Sequence, residues 1–582
     1  MSRIQKDLSS SPHQQDHLEA NGDSHMLRRA VGRIPHVCII GAGVAGLRCA
    51  DVLIQAGVKV TVIEGRNRVG GRLCQGTTGG YMVDLGPNWI HGTDSNPILD
   101  LARETKTGTI NWDGRQAIFN RLGNRITDED AAENTEIVWN IIEQAMKYSE
   151  GSCAEIPADK SLYNYFEDKV KELFPFEIEE DSEAERRRRT ILDMAEMWGA
   201  FVGSPIQTQS LKFFWLEECI DGENLFVSET YHKVLHRISE AALKGANVSL
   251  RKKVTKVISD EDENGPKVTI ETDDGSKSTF DEVVATNPLG WLKHNTEAFI
   301  PQVPNRLKQA IVAIGYGHLD KVYITFPTAF WNTATNPTDT DTDIQPNSIP
   351  YQDSAPNVTA TTAPLHQPPS PSINPSHYPG FTHWTAPAYA PESNPSHWTQ
   401  EGMNLAALPT PHAHPTILFY TQGPTSLHLA TQLRAYPSPS HPSAQAMLTT
   451  FFLPYYSRLP NYDPANPSHQ PTNLLATAWA NDELAGYGSY SNFQTGLERG
   501  DQDIEVMRRG MPERGVWLAG EHTAPFVALG TVTGAYWSGE GVAKRILKAW
   551  ELGEVDESKV GMEGAEVGVE TRESSRMNGA KI

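Results

Sequence analysis

Gly41, Gly43 and Gly46 stand in the run Gly41-Ala42-Gly43-Val44-Ala45-Gly46, directly after the apolar segment His36-Val37-Cys38-Ile39-Ile40. In such a G-x-G-x-x-G, the first glycine permits a tight turn and the second lets backbone approach a pyrophosphate. The third lets a helix close onto a strand. Ala45 lies in the first turn of that helix, whose N-terminus offers free N–H groups and a positive dipole end to phosphate. Glu64 follows Gly41 by 23 residues, at the end of a second strand. A carboxylate there accepts from ribose hydroxyls and disfavours a 2′-phosphate. The ligand chemistry is that of a dinucleotide.

Glu64-Gly65-Arg66-Asn67-Arg68-Val69-Gly70-Gly71-Arg72 extends the signal. Gly70 and Gly71 permit a second close backbone approach. Arg66 belongs to the same cradle, and Arg72 can counter pyrophosphate charge or reach a flavin ring. A nicotinamide enzyme has no need of this second cradle, whereas FAD does.

These motifs need a parallel βαβ unit to hold them, and Val37–Glu64 supplies strand, turn, helix and strand. Residues 111–225 are mostly helical in pattern, with amphipathic stretches at Glu136–Tyr148 and Ile191–Phe201. The acidic run Glu177–Glu185 against Arg186–Arg189 reads as a solvated, ion-paired face. Strand alternation returns at Val254–Val257 and Val268–Thr272, with Asp273-Asp274-Gly275 as a hairpin turn. Residues 333–372, rich in Pro, Thr, Asp and Ser, are expected to be a disordered insertion. The expected domains are a tail at 1–33; a nucleotide domain from 34–110, 226–290 and 474–550; a second domain from 111–225 and 291–473; and a tail at 551–582.

The 582 residues exceed what one core usually holds. A net charge of −22 disfavours nucleic acid and favours small cations. The five cysteines are scattered, with no C-x-x-C pair, so neither a disulfide framework nor a zinc site is expected. No membrane-spanning run or signal-peptide core is present, so the expectation is a soluble intracellular protein, in which the Asn357 sequon is accidental. The terminal Ala580-Lys581-Ile582 has the small–basic–aliphatic pattern of a peroxisomal address, departing from S-K-L; without it a cytoplasmic location is expected.

Over most of residues 36–548 the chain resembles the flavin amine oxidases, a family that includes polyamine, spermine and monoamine oxidases and flavin-type histone demethylases. The likeness rests on the two cradles, on Asp84-Leu85-Gly86-Pro87-Asn88-Trp89-Ile90-His91-Gly92, on Asp281–Gly290, and on Leu518-Ala519-Gly520-Glu521-His522-Thr523. The resemblance implies an α/β fold. It has two domains: a glutathione-reductase-like βαβ FAD-binding domain and a mixed α+β substrate domain, both discontinuous. It further implies backbone contacts to the flavin from Gly86, Pro87, Asn88 and Trp89, and an adenine contact from Val254. His91 would face substrate, and Lys321, in Asp320-Lys321-Val322 ahead of a strand, would hold a water against flavin N5. Gly520 and Glu521 would meet the ribityl chain. Thr531 and Val532 would open a helix whose dipole faces the flavin's N1/C2=O edge.

Three positions depart from the family pattern. Ser489 stands where monoamine oxidases have the flavin-linking cysteine, which implies non-covalent FAD. Thr531 replaces a cage tyrosine, leaving Tyr490 as the aromatic wall. Glu229-Thr230-Tyr231 replaces Gly-Gly-Tyr, leaving the local path open. The expected reaction is oxidation of a small cationic amine, a polyamine by preference, with O2 reduced to hydrogen peroxide. Oxidation of simple primary amines or monoamines, a desaturase and a non-enzymatic binding protein stay open. An amino-acid oxidase would need a carboxylate-binding arginine, and a histone demethylase a long coiled-coil insertion. Oligomeric state is not legible.

Overall fold

A computed structural model describes residues 33–175, 182–262, 265–332 and 377–552. The insertion 333–372, the Asn357 sequon, the terminal tripeptide, residues 1–32 and 553–582 of the expected tails, and part of the Glu177–Glu185 run lie outside the described residues.

Short, β-branched, almost wholly buried strands build the first half. His36–Ile40 and Lys59–Ile63 are flanked in one five-stranded sheet, in the order Val516–Leu518, Glu282–Ala285, His36–Ile40, Lys59–Ile63, Asn247–Ser249. Every pairing is parallel. Parallel sheets need both faces covered, and here both are. Helices Val44–Gln55, His232–Gly245 and Val532–Ala549 cover one face around Ile39, Leu47 and Ala543. An antiparallel layer of Val254–Asp262, Gly265–Thr272 and Lys277–Phe280 covers the other. Gly41 takes φ +103°, which L side chains avoid. A Cβ on Gly46 would run into the Gly41 carbonyl, so helix and strand touch only because that position is glycine. The turn Asp273–Gly275 joins two paired strands, with Gly275 N–H donating to Thr272 O at 2.9 Å.

The second half is a six-stranded sheet, in the order Asn473–Ala476, Leu319–Thr325, Thr416–Gln422, Gln400–Asn404, Phe381–Trp384, Gln116–Phe119. One face, with Val322, Ile324, Phe419 and Trp384, packs on helices Gly423–Leu433 and Pro442–Tyr456. Beside it stand helices Asp128–Ser152, Leu162–Leu173 and Glu183–Ala195, each capped by a hydroxyl from Thr127, Ser161 or Ser182. Short strands Trp89–Ile90, Thr109–Ile110 and Leu225–Val227 tie the halves together.

Two local expectations change. The stretch Ile191–Phe201 is not one helix. Glu183–Ala195 gives way to a 3₁₀ turn at Glu196–Trp198 and a short helix Gly199–Val202, which ends at Gly203 with φ +66°. Lys321 lies inside its strand rather than before it, and is buried. The open path at 229–231 is resolved: Thr230 adopts φ +90°, and Tyr231 N–H donates to the Asp84 carboxylate at 2.9 Å.

Candidate functional site

One continuous cavity of about 580 Å³ runs from the glycine turns to the six-stranded sheet. At its nucleotide end the fingerprint helix begins at Gly43 with no side-chain cap, so its first N–H groups are free for an anion. A Cβ on Gly43 would meet no protein atom within 4 Å; that space belongs to the cavity. Gly70 N–H donates to Ala42 O at 2.8 Å, which locks the second cradle against the first. Gly71, Arg66 and Ala45 line the same end, whereas Gly46 does not: it packs helix on strand. The buried Glu64 carboxylate accepts from Ala42 N–H and Arg66 N–H, both at 2.7 Å. Two of its four lone-pair directions therefore brace the turn, and the others stay available. Val254 closes this end.

Arg72 and Glu521 sit midway, joined as an ion pair at 3.2 Å. Arg72 also donates to Ser489 O and to Tyr316 OH. Glu521 also accepts from Ser491 Oγ at 2.6 Å, and Gly520 N–H donates to Ser538 Oγ at 3.0 Å. The pair sets two opposite charges on the cavity lining between nucleotide end and chamber. Ser489 Oγ donates to Gly317 O at 2.9 Å, a neutral group turned into the fold. Thr531 caps the last helix, its Oγ1 accepting from Gly534 N–H at 2.9 Å, and Val532 begins it. The N-terminal turn of this helix borders the chamber, so its positive dipole end faces the cavity.

Gly86, Pro87, Asn88, Trp89 and His91 form a continuous edge of the chamber. Lys321 Nζ donates to Asp84 O at 3.3 Å and to Gly86 O, so the lysine is tied to that edge by carbonyls. Burial draws the pKa of Lys321 down from the usual lysine range, and burial also raises that of Asp84 beside it. His91 Nδ1 lies 3.3 Å from Asn224 Oδ1, which selects the Nδ1–H tautomer and leaves Nε2 as an acceptor. Burial lowers its pKa, favouring the neutral ring. Tyr490 lines the chamber and donates its hydroxyl to Phe201 O at 2.8 Å.

Sequence reasoning missed the wall opposite. Tyr420 is buried, donates to Asn88 Oδ1 at 2.9 Å, and presents its ring 5.7 Å from Lys321 Nζ. Phe381, His383 and Glu401 line the same wall. Their signal is the strand register, which no local motif carries. Glu217 also lines the cavity, with burial pushing its pKa up to about 7. Among the described residues no cluster of metal-ligating side chains occurs, and no helix is long and apolar enough to cross a membrane.

Parallel sheet, double glycine cradle and adjoining chamber define a dinucleotide-binding fold with a built substrate cavity. The profile of the flavin containing amine oxidoreductase family matches residues 44–388 and 453–547, and the chain belongs to that family. FAD is the cofactor this membership implies, and the uncapped helix at Gly43, the open space above it and the Arg72–Glu521 pair fit it.

The chain is 27% identical over 328 residues to a probable polyamine oxidase 4 of Arabidopsis thaliana, covering 54% of this chain and 63% of that one. It is 28% identical over 307 residues to a lysine-specific histone demethylase 1 homolog of Oryza sativa subsp. japonica, covering 51% and 37%. The matched region thus spans less than two thirds of these relatives' length. A solved structure of a putrescine oxidase mutant shares the fold, with TM-score 0.58 and 17% identity over 88% of this chain and 98% of that one.

Proposed function

We propose that this protein oxidises small cationic amines, polyamines by preference, at a non-covalently held FAD, with O2 as acceptor and hydrogen peroxide as product. The chemistry a bound flavin supplies is two-electron acceptance from the C–H bond beside nitrogen and reoxidation by oxygen. The observation that carries the reading is the single cavity joining the phosphate-binding turns to a chamber with one buried lysine and aromatic walls.

The chain's own residues have separable tasks in this reading. The free N–H groups at Gly43 hold pyrophosphate, and Glu64 accepts from ribose. The Arg72–Glu521 pair flanks the cofactor midway along the cavity. Tyr420 and Tyr490 offer ring faces to an alkylammonium. His91 Nε2 accepts an N–H, which orients the nitrogen whose carbon is oxidised. Lys321 Nζ is a fixed donor facing charge that builds on oxygen, which favours its protonated form. Ser489, in place of a linking cysteine, supports non-covalent attachment.

The polyamine preference draws support from the curated relatives named polyamine oxidases, from the net charge and from His91 and Thr531. The terminal Ala580-Lys581-Ile582 supports a peroxisomal location, which a peroxide-forming reaction would suit. The test is peroxide release by the purified yellow protein across polyamines, diamines and alkyl monoamines. Turnover fastest with polyamines is expected. Flavin absorbance with no turnover on any amine would remove the activity and leave the fold.

A further inference from the structure

The chamber wall of the six-stranded sheet carries a row that the reaction as described does not use. Lys321 pairs with Tyr420, Tyr420 with Glu401, and Glu401 with His383, each directly opposite across neighbouring strands. Residues opposite one another share a face. All four line the cavity, whereas their strand neighbours Val322, Phe419 and Trp384 pack into the core behind.

Glu401 is the unusual member. Its carboxylate lies 3.6 Å from His383 Nδ1, beyond a normal hydrogen bond, and has no hydrogen bond from any described residue. Both His383 ring nitrogens are buried without a partner, on a side chain only 5% exposed. Buried polar groups of this kind call for a partner, because leaving them unpaired forfeits the hydrogen bonds water would give them. Burial pushes Glu401 up to about 8 and His383 down to about 3, so the protein alone holds a neutral pair. A cation with several N–H donors satisfies both groups: it ionises the carboxyl and donates to the neutral imidazole. Glu217, another acid on the cavity whose pKa burial raises, already accepts from Gln209 Nε2 at 3.1 Å and Phe493 N–H at 3.4 Å, and stands near Tyr490 rather than on this wall.

Resting on the function proposed above, we infer that Glu401, backed by His383, anchors the far ammonium of a linear diamine or polyamine and so selects substrate by length. Two strand spacings separate the Lys321 and Glu401 backbones, about 10 Å. The Tyr420 ring, on the strand between them, lines the wall along which the methylenes lie. A compact diamine cannot span that distance, and an alkyl monoamine leaves the anchor unused.

The experiment is anaerobic binding of the α,ω-diaminoalkane series and of alkyl monoamines to the flavin-loaded protein. Flavin absorbance and thermal shift are the readouts, so the result does not depend on turnover. Glu401→Gln is expected to weaken the best diamine by about 30-fold or more while changing monoamines less than about threefold. Glu401→Asp, which keeps the charge and retracts it by one methylene, is expected to move the optimum to a longer diamine; it also serves if the glutamine variant fails to fold. A length optimum unchanged in Glu401→Asp, equal losses for monoamines and diamines, or no diamine binding to the parent protein would each overturn the assignment. Diamine binding lost in Glu401→Gln without amine turnover in the parent would uphold the anchor and remove the oxidase reading.

Discussion

The two walls of the cavity are encoded differently. The nucleotide wall is local: Gly41 to Arg72 is one stretch of chain, and each glycine's task can be stated from its spacing. The sheet wall is assembled from Lys321, His383, Glu401 and Tyr420, on four strands whose order in space is not their order in sequence. The first wall is made of backbone and tolerates little; the second is made of side chains on a rigid sheet and can be edited singly. Cofactor binding and amine choice should therefore respond to mutation separately.

The largest expected effect breaks the nucleotide wall without breaking the fold. Gly43→Val places atoms where the chain itself has none within 4 Å, at ordinary φ, so the protein should fold but lose most of its bound flavin. Gly46→Val drives a side chain into the Gly41 carbonyl and should yield insoluble protein. Flavin-to-protein absorbance ratio and circular dichroism separate the two; full flavin loading of Gly43→Val would show that phosphate does not approach there.

Next comes the chamber. Lys321→Met removes the buried amine and should slow flavin reoxidation by oxygen about 100-fold, with a much smaller effect on anaerobic reduction by amine. Equal slowing of both half-reactions in stopped flow would take the oxygen role away from Lys321.

A subtler effect concerns pH. Glu401 has a folded pKa of about 8 against 4.5 unfolded, so it costs nothing below pH 4.5. Stability is lost as pH rises from there through about 8, on the order of a few kcal/mol in all. Glu401→Gln should flatten this loss, becoming more stable relative to the parent at pH 9 than at pH 5 by urea denaturation. Parallel profiles would mean the carboxyl is better solvated than its burial implies. The smallest effect is Tyr420→Phe, which leaves Asn88 Oδ1 without its donor and should cost about 1 kcal/mol of stability with flavin content intact.

Legibility in sequence follows the same divide. The βαβ unit, the hairpin at Asp273–Gly275 and the helical stretch after residue 111 are local patterns, and the structure contains them. Lys321 was singled out only by family resemblance, since a lysine beside an apolar strand reads as solvated until the sheet buries it. Tyr420 lies in Thr416–Gln422, where an aromatic is indistinguishable from core. Glu401 lies in Gln400–Asn404, which has no clean alternation and contains Gly402. Bringing these two onto one wall with Lys321 depends on cross-strand register over some hundred residues, information that hydrophobic period does not hold. The helix break at Glu196–Gly203 leaves no trace in the sequence pattern because amphipathic spacing runs on through it.

The central claim is that a single FAD fills the cavity from the glycine turns, past the Arg72–Glu521 pair, to the edge at Gly86–Trp89 and Lys321. Its most direct measurement is titration of purified protein with FAD, followed by heat denaturation and filtration. The account predicts one FAD per chain, a yellow complex, and all of the flavin released into the filtrate. A folded protein that stays colourless after titration, or one whose flavin remains on the polypeptide after denaturation, would contradict it.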